Sequence, residues 1–369
     1  MEHVDETVLT LDLNALSHNF EYLSSKISAN TKVLAVIKAF GYGSDSIEIA
    51  KELETLGVAY FAVAYVKEGV ALRDAGIRTP ILVLHPQSAN FETLIDRCLE
   101  PSLYSTFVLK KFIEVAEGKK QKNYPVHLKF NTGLNRLGFD AVQIADLLSE
   151  VHGTSAIHVK SVFSHLAASE DPNEKTFTEG QIEAFKEIAQ ELEDALGYHP
   201  VLHLCNTSGG GGYPEAHFDM VRIGIGLYGF GNAAEVNAEL LPIATLSSIV
   251  SQIHHIQPGD TVGYNRAYKA NDHEKTATIP IGHADGISRA FGNGVGWVTI
   301  HGKKAPIIGN VCMDMLMVNI TGIDCEEGDE VVLFGQNPTA DELSAVINSI
   351  PYELITGISQ RVKRVVRKR

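Results

Sequence analysis

The stretch Val33-Leu34-Ala35-Val36-Ile37-Lys38-Ala39-Phe40-Gly41-Tyr42-Gly43 joins an apolar run to a lysine and then to a glycine-containing turn. An apolar run without polar alternation is typical of a strand that is buried on both faces, as in a parallel sheet. The turn that follows would hold the amine of Lys38 at the end of this strand. The stretch therefore predicts an α/β fold in which a reactive group stands at one edge of a parallel sheet.

The alternation of short apolar runs with longer amphipathic segments continues to about residue 230. In the longer segments, such as residues 46–56 and 181–196, apolar residues recur at intervals of three and four, which predicts helices. Eight strands that are each followed by a helix form a (β/α)8 TIM-like barrel. The eight predicted strands are residues 33–38, 60–64, 81–84, 101–104, 126–130, 158–164, 201–205 and 220–223.

After about residue 235 the pattern changes to short apolar runs interrupted by Gly, Pro and Asp, which predicts a mostly-β domain. We therefore place the barrel in residues 1–235 and the C-terminal β domain in residues 236–369. Residues 12–25 either cap the barrel or belong to the second domain, and the first ten residues are candidates for packing against the β domain. The predicted strands of this domain are residues 249–256, 276–279, 296–300, 304–308, 316–320 and 330–334.

The 369 residues carry a formal net charge of −14, which argues against nucleic acid or an anionic membrane as a partner and favours a small molecule. No apolar stretch approaches the roughly 20 residues that cross a bilayer. The four cysteines, at positions 98, 205, 312 and 325, lack metal-ligand spacing. With an acidic start at residues 1–6 that does not look like a signal peptide, these features predict a cytoplasmic protein without a metal. The basic residues at 363–369 alternate with valines and predict a strand with a solvated tail.

Polar side chains that suit an anionic, phosphorylated ligand follow several of the predicted strands, on the side where barrel enzymes place their chemistry. A lysine such as Lys38 is costly to bury as a cation, so it reaches solvent, pairs with a carboxylate or serves as an amine nucleophile. The other groups at the strand ends favour the nucleophile. They are Lys129 and Arg136 after the fifth strand, His165 after the sixth, Asn206, Thr207 and Ser208 after the seventh, and Arg222 and Gly224 after the eighth.

Each of these groups also has a purely structural interpretation. His165 fits a hydrogen-bonded core histidine, and Arg222 fits a surface ion pair. The glycine run 209–212 fits simple loop flexibility. Motifs elsewhere in the chain decide between the two interpretations.

Five segments, in this order, resemble the bacterial alanine racemases, which are fold-type III pyridoxal 5′-phosphate enzymes. Any one segment is weak evidence, but five in order are specific, and the resemblance runs from about residue 9 to residue 366. It implies the predicted barrel and β domain, alanine as the substrate, and a homodimer with active sites shared across its interface. The segments are AVIKAFGYG at 35–43, LKFNTGLNRLG at 128–138, VRIGIGLYG at 221–229, GYNR at 263–266 and VCMD at 311–314.

The resemblance also implies roles for individual residues. Lys38 would hold the cofactor and act as the base on one face of the substrate, while Tyr264 from the partner subunit would act on the opposite face, giving D-alanine for peptidoglycan. Arg222 would face the pyridine nitrogen and, because guanidinium keeps its protons, would leave that nitrogen unprotonated and discourage transamination. The phosphate would be held by Tyr42, Thr207, Gly224, Ile225 and Tyr352, with Asn206 and His165 also at the cofactor.

Arg136 and the backbone N–H of Met313 would bind the substrate carboxylate. In some relatives the lysine that matches Lys129 is carbamylated, and an anionic side chain there would orient Arg136. A lone tyrosine in a glycine-containing turn is otherwise a surface or packing residue, so the role of Tyr264 depends on the family pattern.

The chain departs from the family pattern at several positions that bear on substrate range. His283 stands where a tyrosine near the substrate entrance is typical, and this leaves a serine or broad-specificity racemase open as an alternative. Two further alternatives are a decarboxylase of the same fold type and a barrel that binds the cofactor without catalysis. The remaining departures are Asn131 for Asp, Leu134 for Met, Thr207 for Ser, and Met315 for a polar residue.

Overall fold

A computed structural model describes residues 6–368, and its first sheet has eight parallel strands. The first strand pairs with the second and also with the eighth. The seventh and eighth strands are joined by hydrogen bonds from Asp219 N to Leu202 O (3.1 Å) and from Arg222 N to Cys205 O (3.0 Å), which close the barrel. All eight predicted strands are confirmed. Their bounds are Lys32–Val36, Tyr60–Val63, Ile81–Val83, Glu100–Leu103, Tyr124–Lys129, Ile157–Phe163, Val201–His203 and Met220–Ile223.

Helices connect the barrel strands and cover the barrel. The helix predicted at 46–56 is Ser46–Thr55. It begins there because the Asp45 carboxylate accepts hydrogen bonds from the backbone N–H groups of Ile47 and Glu48. The helix predicted at 181–196 begins earlier, at Lys175. The apolar period did not reveal this start, because the first turns of the helix are mostly polar. The segment Lys38–Tyr42 is a left-handed turn and not a right-handed helix. The other helices are Leu13–Ser25, Val66–Asp74, Phe91–Asp96, Thr106–Gly118, Ile144–His152, Thr207–Gly212, Ala234–Asn237, Ala340–Val346 and Pro351–Thr356.

The glycine run 209–212 is not a flexible loop, and that interpretation is wrong. It forms the short helix Thr207–Gly212, in which the Asn206 side chain accepts a hydrogen bond from Gly209 N at 2.9 Å. A Cβ on Gly209 would lie 2.9 Å from the Leu166 side chain and 3.1 Å from that of Cys205, so this glycine is closely packed.

The second sheet has nine strands and belongs mostly to the C-terminal part of the chain. The predicted single run 249–256 is wrong: it is two strands, because Val250 and Ser251 turn aside to pair with Asp329 and Thr278. The boundary between the barrel and the C-terminal β domain, which we placed near residue 235, stays a prediction. In spatial order the strands are Gln252–Ile256, Glu274–Ile279, Leu316–Asn319, Lys303–Ile308, Trp297–Ile300, Glu330–Phe334, Ala244–Ile249, Thr7–Asp12 and Lys363–Arg367.

The two ends of the chain tie the sheet to the barrel. Thr7–Asp12 lies in the nine-stranded sheet, whereas the following helix, Leu13–Ser25, packs on the barrel through hydrogen bonds from Asn19 Nδ2 to Leu227 O (3.1 Å) and Leu241 O (2.8 Å). At the other end, the predicted strand is confirmed as Lys363–Arg367, and residues 366–368 are exposed. Arg364 departs from the predicted solvated tail, because its guanidinium is half-buried and donates to the carbonyl of Gly43 at 2.8 Å. Residues 1–5 and 369, which include most of the acidic start and the last basic residue, lie outside the described residues.

Within residues 6–368, no helix is long and apolar enough to cross a membrane.

Candidate active site

A cavity of about 910 Å³ opens at the C-terminal ends of the barrel strands. The segment 350–352 of the C-terminal part closes one side of it. Two predicted site residues, Tyr264 and Met313, do not line this cavity; they lie on the surface with 73% and 59% of their area exposed. Those that do line it are Lys38, Tyr42, Lys129, Arg136, His165, Asn206, Thr207, Arg222, Gly224, Ile225 and Tyr352.

The turn that carries Lys38 is left-handed. Residues 39–43 all have positive φ, including three that are not glycine, each at a cost of roughly 1–2 kcal/mol. Packing holds the turn in this conformation, because a Cβ on Gly43 would overlap the carbonyl of Ile355. Glu68 holds its start by accepting from Ala39 N at 2.6 Å, and the same carboxylate also accepts from Ala64 N at 2.7 Å.

Burial and the nearby charge of Arg136 lower the pKa of Lys38, while Glu68 acts in the opposite direction. A lower pKa gives a larger fraction of neutral amine at a given pH, and the neutral amine is the nucleophile and the base. Lys38 is therefore a candidate for covalent chemistry in this cavity. Sequence reasoning missed Glu68, whose only local signal is its place three residues into a helix, where a glutamate caps the start.

Arg222 is buried and donates to two histidines. Nη1 donates to His203 Nδ1 and Nη2 donates to His165 Nδ1, both at 2.9 Å. Because an acceptor Nδ1 carries no proton, both rings are neutral, and burial followed by the charge of Arg222 lowers the pKa of each well below its usual value. The same guanidinium nitrogens also donate to the carbonyls of Ser164, His203 and Leu204.

The Nε of Arg222 is different, since no group among residues 6–368 accepts a hydrogen bond from it. The acceptors around Nη1 and Nη2 hold the guanidinium in place, and the Nε–H is left to bind a ligand in the cavity. His203 was missed from the sequence because it lies inside a buried strand, Val201–His203, where a histidine gives no local sign of its partner.

Tyrosines form the wall of the cavity beside Arg222. Tyr42 stacks on the buried Tyr228 with ring centroids 4.4 Å apart, and Tyr352 lies 5.9 Å from Tyr42. Burial raises the pKa of Tyr42, and burial followed by Glu170 raises that of Tyr352 to about 12, so both are hydroxyl donors at neutral pH. Neither hydroxyl has a hydrogen-bond partner in the described part of the chain. A Cβ on Gly224 would stand 2.6 Å from the Tyr42 hydroxyl, so only glycine leaves this corner open.

Lys129 is buried, with 7% of its area exposed, at the end of the fifth barrel strand. Burial, followed by the charges of Arg222 and Arg136, lowers its pKa to about 8. Its ammonium lies 5.7 Å from the Phe163 ring centre, and no carboxylate within residues 6–368 forms an ion pair with it. Lys129 is thus a buried cation among cations.

Tyr264 and Met313 are each held by hydrogen bonds within the C-terminal part of the chain. The Asn310 side chain donates to the Tyr264 carbonyl at 3.2 Å, and Ala284 N donates to the Met313 carbonyl at 3.0 Å. Arg361 holds the loop that follows, through Asp285 (2.6 Å) and Asp314 (2.7 Å). His283 is in this region as well, and its backbone N–H donates to Cys312 O at 2.9 Å.

All four cysteines are free, and the described residues contain no cluster of three or more His, Cys, Asp or Glu side chains that could hold a metal ion.

This geometry defines a class of two-domain enzymes in which a (β/α)8 barrel with a lysine at its mouth is followed by a β domain. The family model of the alanine racemase N-terminal domain matches residues 11–231, and that of the alanine racemase C-terminal domain matches residues 243–366. The chain belongs to the alanine racemase family. The resemblance found in the five sequence segments is thereby confirmed.

Individual relatives agree over nearly their whole length. An alanine racemase of Halothermothrix orenii is 34% identical over 362 residues, which cover 96% of this chain and 95% of the relative. The crystal structure of alanine racemase from Bacillus anthracis with bound L-Ala-P superposes with a TM-score of 0.91 at 27% identity, covering 100% of this chain and 96% of that one. That from Bartonella henselae, with covalently bound pyridoxal phosphate, gives 0.89 at 28% identity, with 99% and 100% covered.

Proposed function

We propose that the chain interconverts L-alanine and D-alanine, with pyridoxal 5′-phosphate held on Lys38 and with Lys38 and Tyr264 as the two acid/base groups. The observation that carries the proposal is the Lys38 amine, whose pKa is lowered, at the mouth of a cavity lined by unpaired donors. Family membership supplies the substrate, and the relative from Bartonella henselae supplies the precedent for the cofactor.

The unpaired groups of the cavity fit this cofactor. Arg222 Nε faces the cavity as a donor without a partner, which suits the acceptor nitrogen of a pyridine ring. The Tyr42 and Tyr352 hydroxyls are donors without partners, and the open corner at Gly224 beside them gives a phosphate room. Thr207 and Asn206 stand next to this corner, where the Thr207 hydroxyl accepts from Gly224 N at 3.1 Å.

When it is bound, the cofactor supplies a conjugated ring that withdraws electrons from the α-carbon of an amino acid. Lys38 takes a proton from that carbon or returns one to it on one face, and burial favours its neutral, basic form. The Tyr264 phenol does the same on the opposite face, since inversion needs one acid/base group on each side of a planar carbon. Arg136 binds the substrate carboxylate, together with the backbone N–H of Met313.

A second copy of the chain would complete this site. Tyr264 and Met313 are exposed and lie outside the cavity that holds Lys38 and Arg136, so one chain alone does not provide both faces. We therefore propose a homodimer in which Tyr264 of the partner subunit reaches the Lys38 cavity.

Mixing two inactive variants tests the shared site. Lys38→Ala and Tyr264→Phe each spoil both sites of a homodimer, but a mixed dimer would contain one intact site. After unfolding and refolding together, half of the dimers are mixed, so racemase activity should return to about a quarter of the wild-type value. If each chain forms its own site, mixing restores nothing.

We also propose that Lys129 is carbamylated. A neutral lysine amine reacts with carbon dioxide, and a pKa of about 8 leaves a usable neutral fraction at physiological pH. The new N–C bond replaces an N–H bond whose proton goes to solvent, and the product is an anion close enough to Arg136 and Arg222 to be stabilised by their charges. ¹³C NMR after addition of ¹³C-bicarbonate should show a carbamate signal that Lys129→Ala removes, and the lack of any such signal would contradict the modification.

The reaction itself is tested by exchange of the α-hydrogen in deuterated water with L-alanine, D-alanine, L-serine and L-lysine. Both alanine enantiomers should exchange in the wild type, Lys38→Ala should abolish exchange, and Tyr264→Phe should suppress it mainly for one enantiomer. Faster exchange of serine than of alanine would favour the broad-specificity alternative that His283 raises. Release of carbon dioxide would favour a decarboxylase, and cofactor binding without exchange would favour a carrier.

A cell that uses this activity obtains D-alanine, a building block of peptidoglycan. The supply of D-alanine for peptidoglycan and the cytoplasmic location of the protein both stay predictions.

A further inference from the structure

A chain of buried polar side chains crosses the barrel interior below the cavity. Glu100 Oε2 lies 2.7 Å from His127 Nε2, and His127 Nδ1 lies 2.5 Å from Ser161 Oγ. Ser161 Oγ lies 3.0 Å from His203 Nε2, and His203 Nδ1 accepts from Arg222. The three middle residues, His127, Ser161 and His203, are fully buried. We call this series, from Glu100 to Arg222, the barrel relay.

When both histidines are neutral, the donors and acceptors of the barrel relay fit one arrangement. Arg222 always donates, so His203 Nδ1 is bare and the ring proton sits on Nε2, where it is donated to Ser161. Ser161 has one hydroxyl proton and no other partner, so it donates to His127 Nδ1. His127 then carries its proton on Nε2 and donates it to Glu100. Every bond runs in the same direction and ends on a carboxylate.

Arg222 needs such support because its direct partners are all neutral. They are two imidazole nitrogens and three carbonyl oxygens, and none of the described carboxylates forms an ion pair with its guanidinium. A buried guanidinium without a counter-charge is held only by the dipoles around it. The relay aligns the dipoles of Ser161 and His127 toward Arg222 and ends on the charge of Glu100.

We propose that Glu100, His127 and Ser161 are positioning residues that act through His203 to hold Arg222 with its Nε facing the cavity. This role rests on the proposed function, because its consequence is that the relay keeps a hydrogen-bond donor at the ring nitrogen of the bound cofactor. None of these three residues lines the cavity, so their effect must pass through Arg222.

Three variants separate this role from simple packing. Ser161→Ala breaks the relay in the middle, and Glu100→Gln keeps the shape and an acceptor oxygen but removes the charge. Tyr60→Phe is the matched control, because the Tyr60 hydroxyl donates to the same Glu100 oxygen at 3.1 Å without belonging to the path to Arg222. Thermal melts of all three identify any variant that fails to fold.

The first measurement is the ¹⁵N shift of the ring nitrogen in full-length chain loaded with pyridoxal 5′-phosphate labelled at that atom. Ser161→Ala should move the signal toward that of Arg222→Lys and weaken cofactor binding about three- to tenfold. Glu100→Gln should give a smaller shift in the same direction, and Tyr60→Phe none. The Ser161→Ala and Glu100→Gln shifts should not add in the double variant, since a broken relay cannot be broken twice.

The second measurement needs no cofactor, so it separates failure of this inference from failure of the proposed function. ¹⁵N relaxation of the Arg222 Nε–H in the cofactor-free chain should show a rigid group in the wild type and Tyr60→Phe and a mobile one in Ser161→Ala. An unchanged ring shift together with a rigid Arg222 in both relay variants would overturn the inference. A wild type that binds no pyridoxal phosphate would instead overturn the proposed function.

Discussion

Replacing Lys129 by methionine should stabilise the protein. Methionine fills nearly the same volume but carries no charge, and the native lysine is a buried cation beside Arg222 and Arg136. The expected gain follows from the lysine pKa, which falls from its usual 10.5 to about 8. At about 1.4 kcal/mol per pH unit, protonated Lys129 lowers the free energy of unfolding by about 3 kcal/mol at neutral pH.

The gain should depend on pH in a defined window. Below about pH 8 the lysine is protonated in both the folded and the unfolded chain, so the full cost is present. Between about pH 8 and pH 10.5 the unfolded chain binds more protons, so the stability of the wild type rises with pH. The advantage of Lys129→Met should therefore shrink across this window and vanish above it.

Thermal unfolding of the cofactor-loaded protein in buffers free of carbon dioxide measures this difference. With an unfolding entropy of roughly 2.1 cal/mol/K per residue, a gain of about 3 kcal/mol raises the melting temperature by about 4 °C at pH 7. Lys160→Met is the matched control, because Lys160 is exposed on the neighbouring strand Ile157–Phe163, and its effect should be within about 0.5 kcal/mol of zero. Added bicarbonate should stabilise the wild type but not Lys129→Met if the carbamate forms.

A melting temperature for Lys129→Met at or below that of the wild type at pH 7, with a difference that does not change between pH 7 and pH 10, would refute the reasoning. Such a result would mean that Lys129 is solvated or already paired in the folded protein.

Two glycine substitutions test the packing around the site. Gly43→Ala should lower the free energy of unfolding by about 3 kcal/mol or more, because the new methyl group would overlap the Ile355 carbonyl, whereas Gly57→Ala, at the same φ of +80° but with nothing within 4 Å, should cost only about 1 kcal/mol. Equal losses in urea unfolding would contradict the contact. Gly224→Ala should weaken pyridoxal phosphate binding by about tenfold or more in equilibrium dialysis, because its Cβ would stand 2.6 Å from the Tyr42 hydroxyl; unchanged binding would argue against a phosphate at this corner.

The sequence by itself determined the eight barrel strands and their order. Apolar runs of the right length mark each barrel strand because burial on both faces leaves a local signature that needs no partner to be recognised. The same holds for the polar residues at the strand ends, since in a closed parallel barrel all such ends meet at one mouth. The sequence therefore predicts that Lys38, Lys129, His165 and Arg222 lie at one mouth of the barrel, and all four line the cavity there.

Only the tertiary structure decided how these groups are held. The left-handed turn after Lys38 depends on contact with Ile355, more than three hundred positions away, and no local pattern encodes such a contact. The same is true of the barrel relay, whose members are spread over five strands and meet only when the barrel closes. The exposed position of Tyr264 is also a tertiary result: a local motif states which residue is present, while packing decides which cavity it can reach.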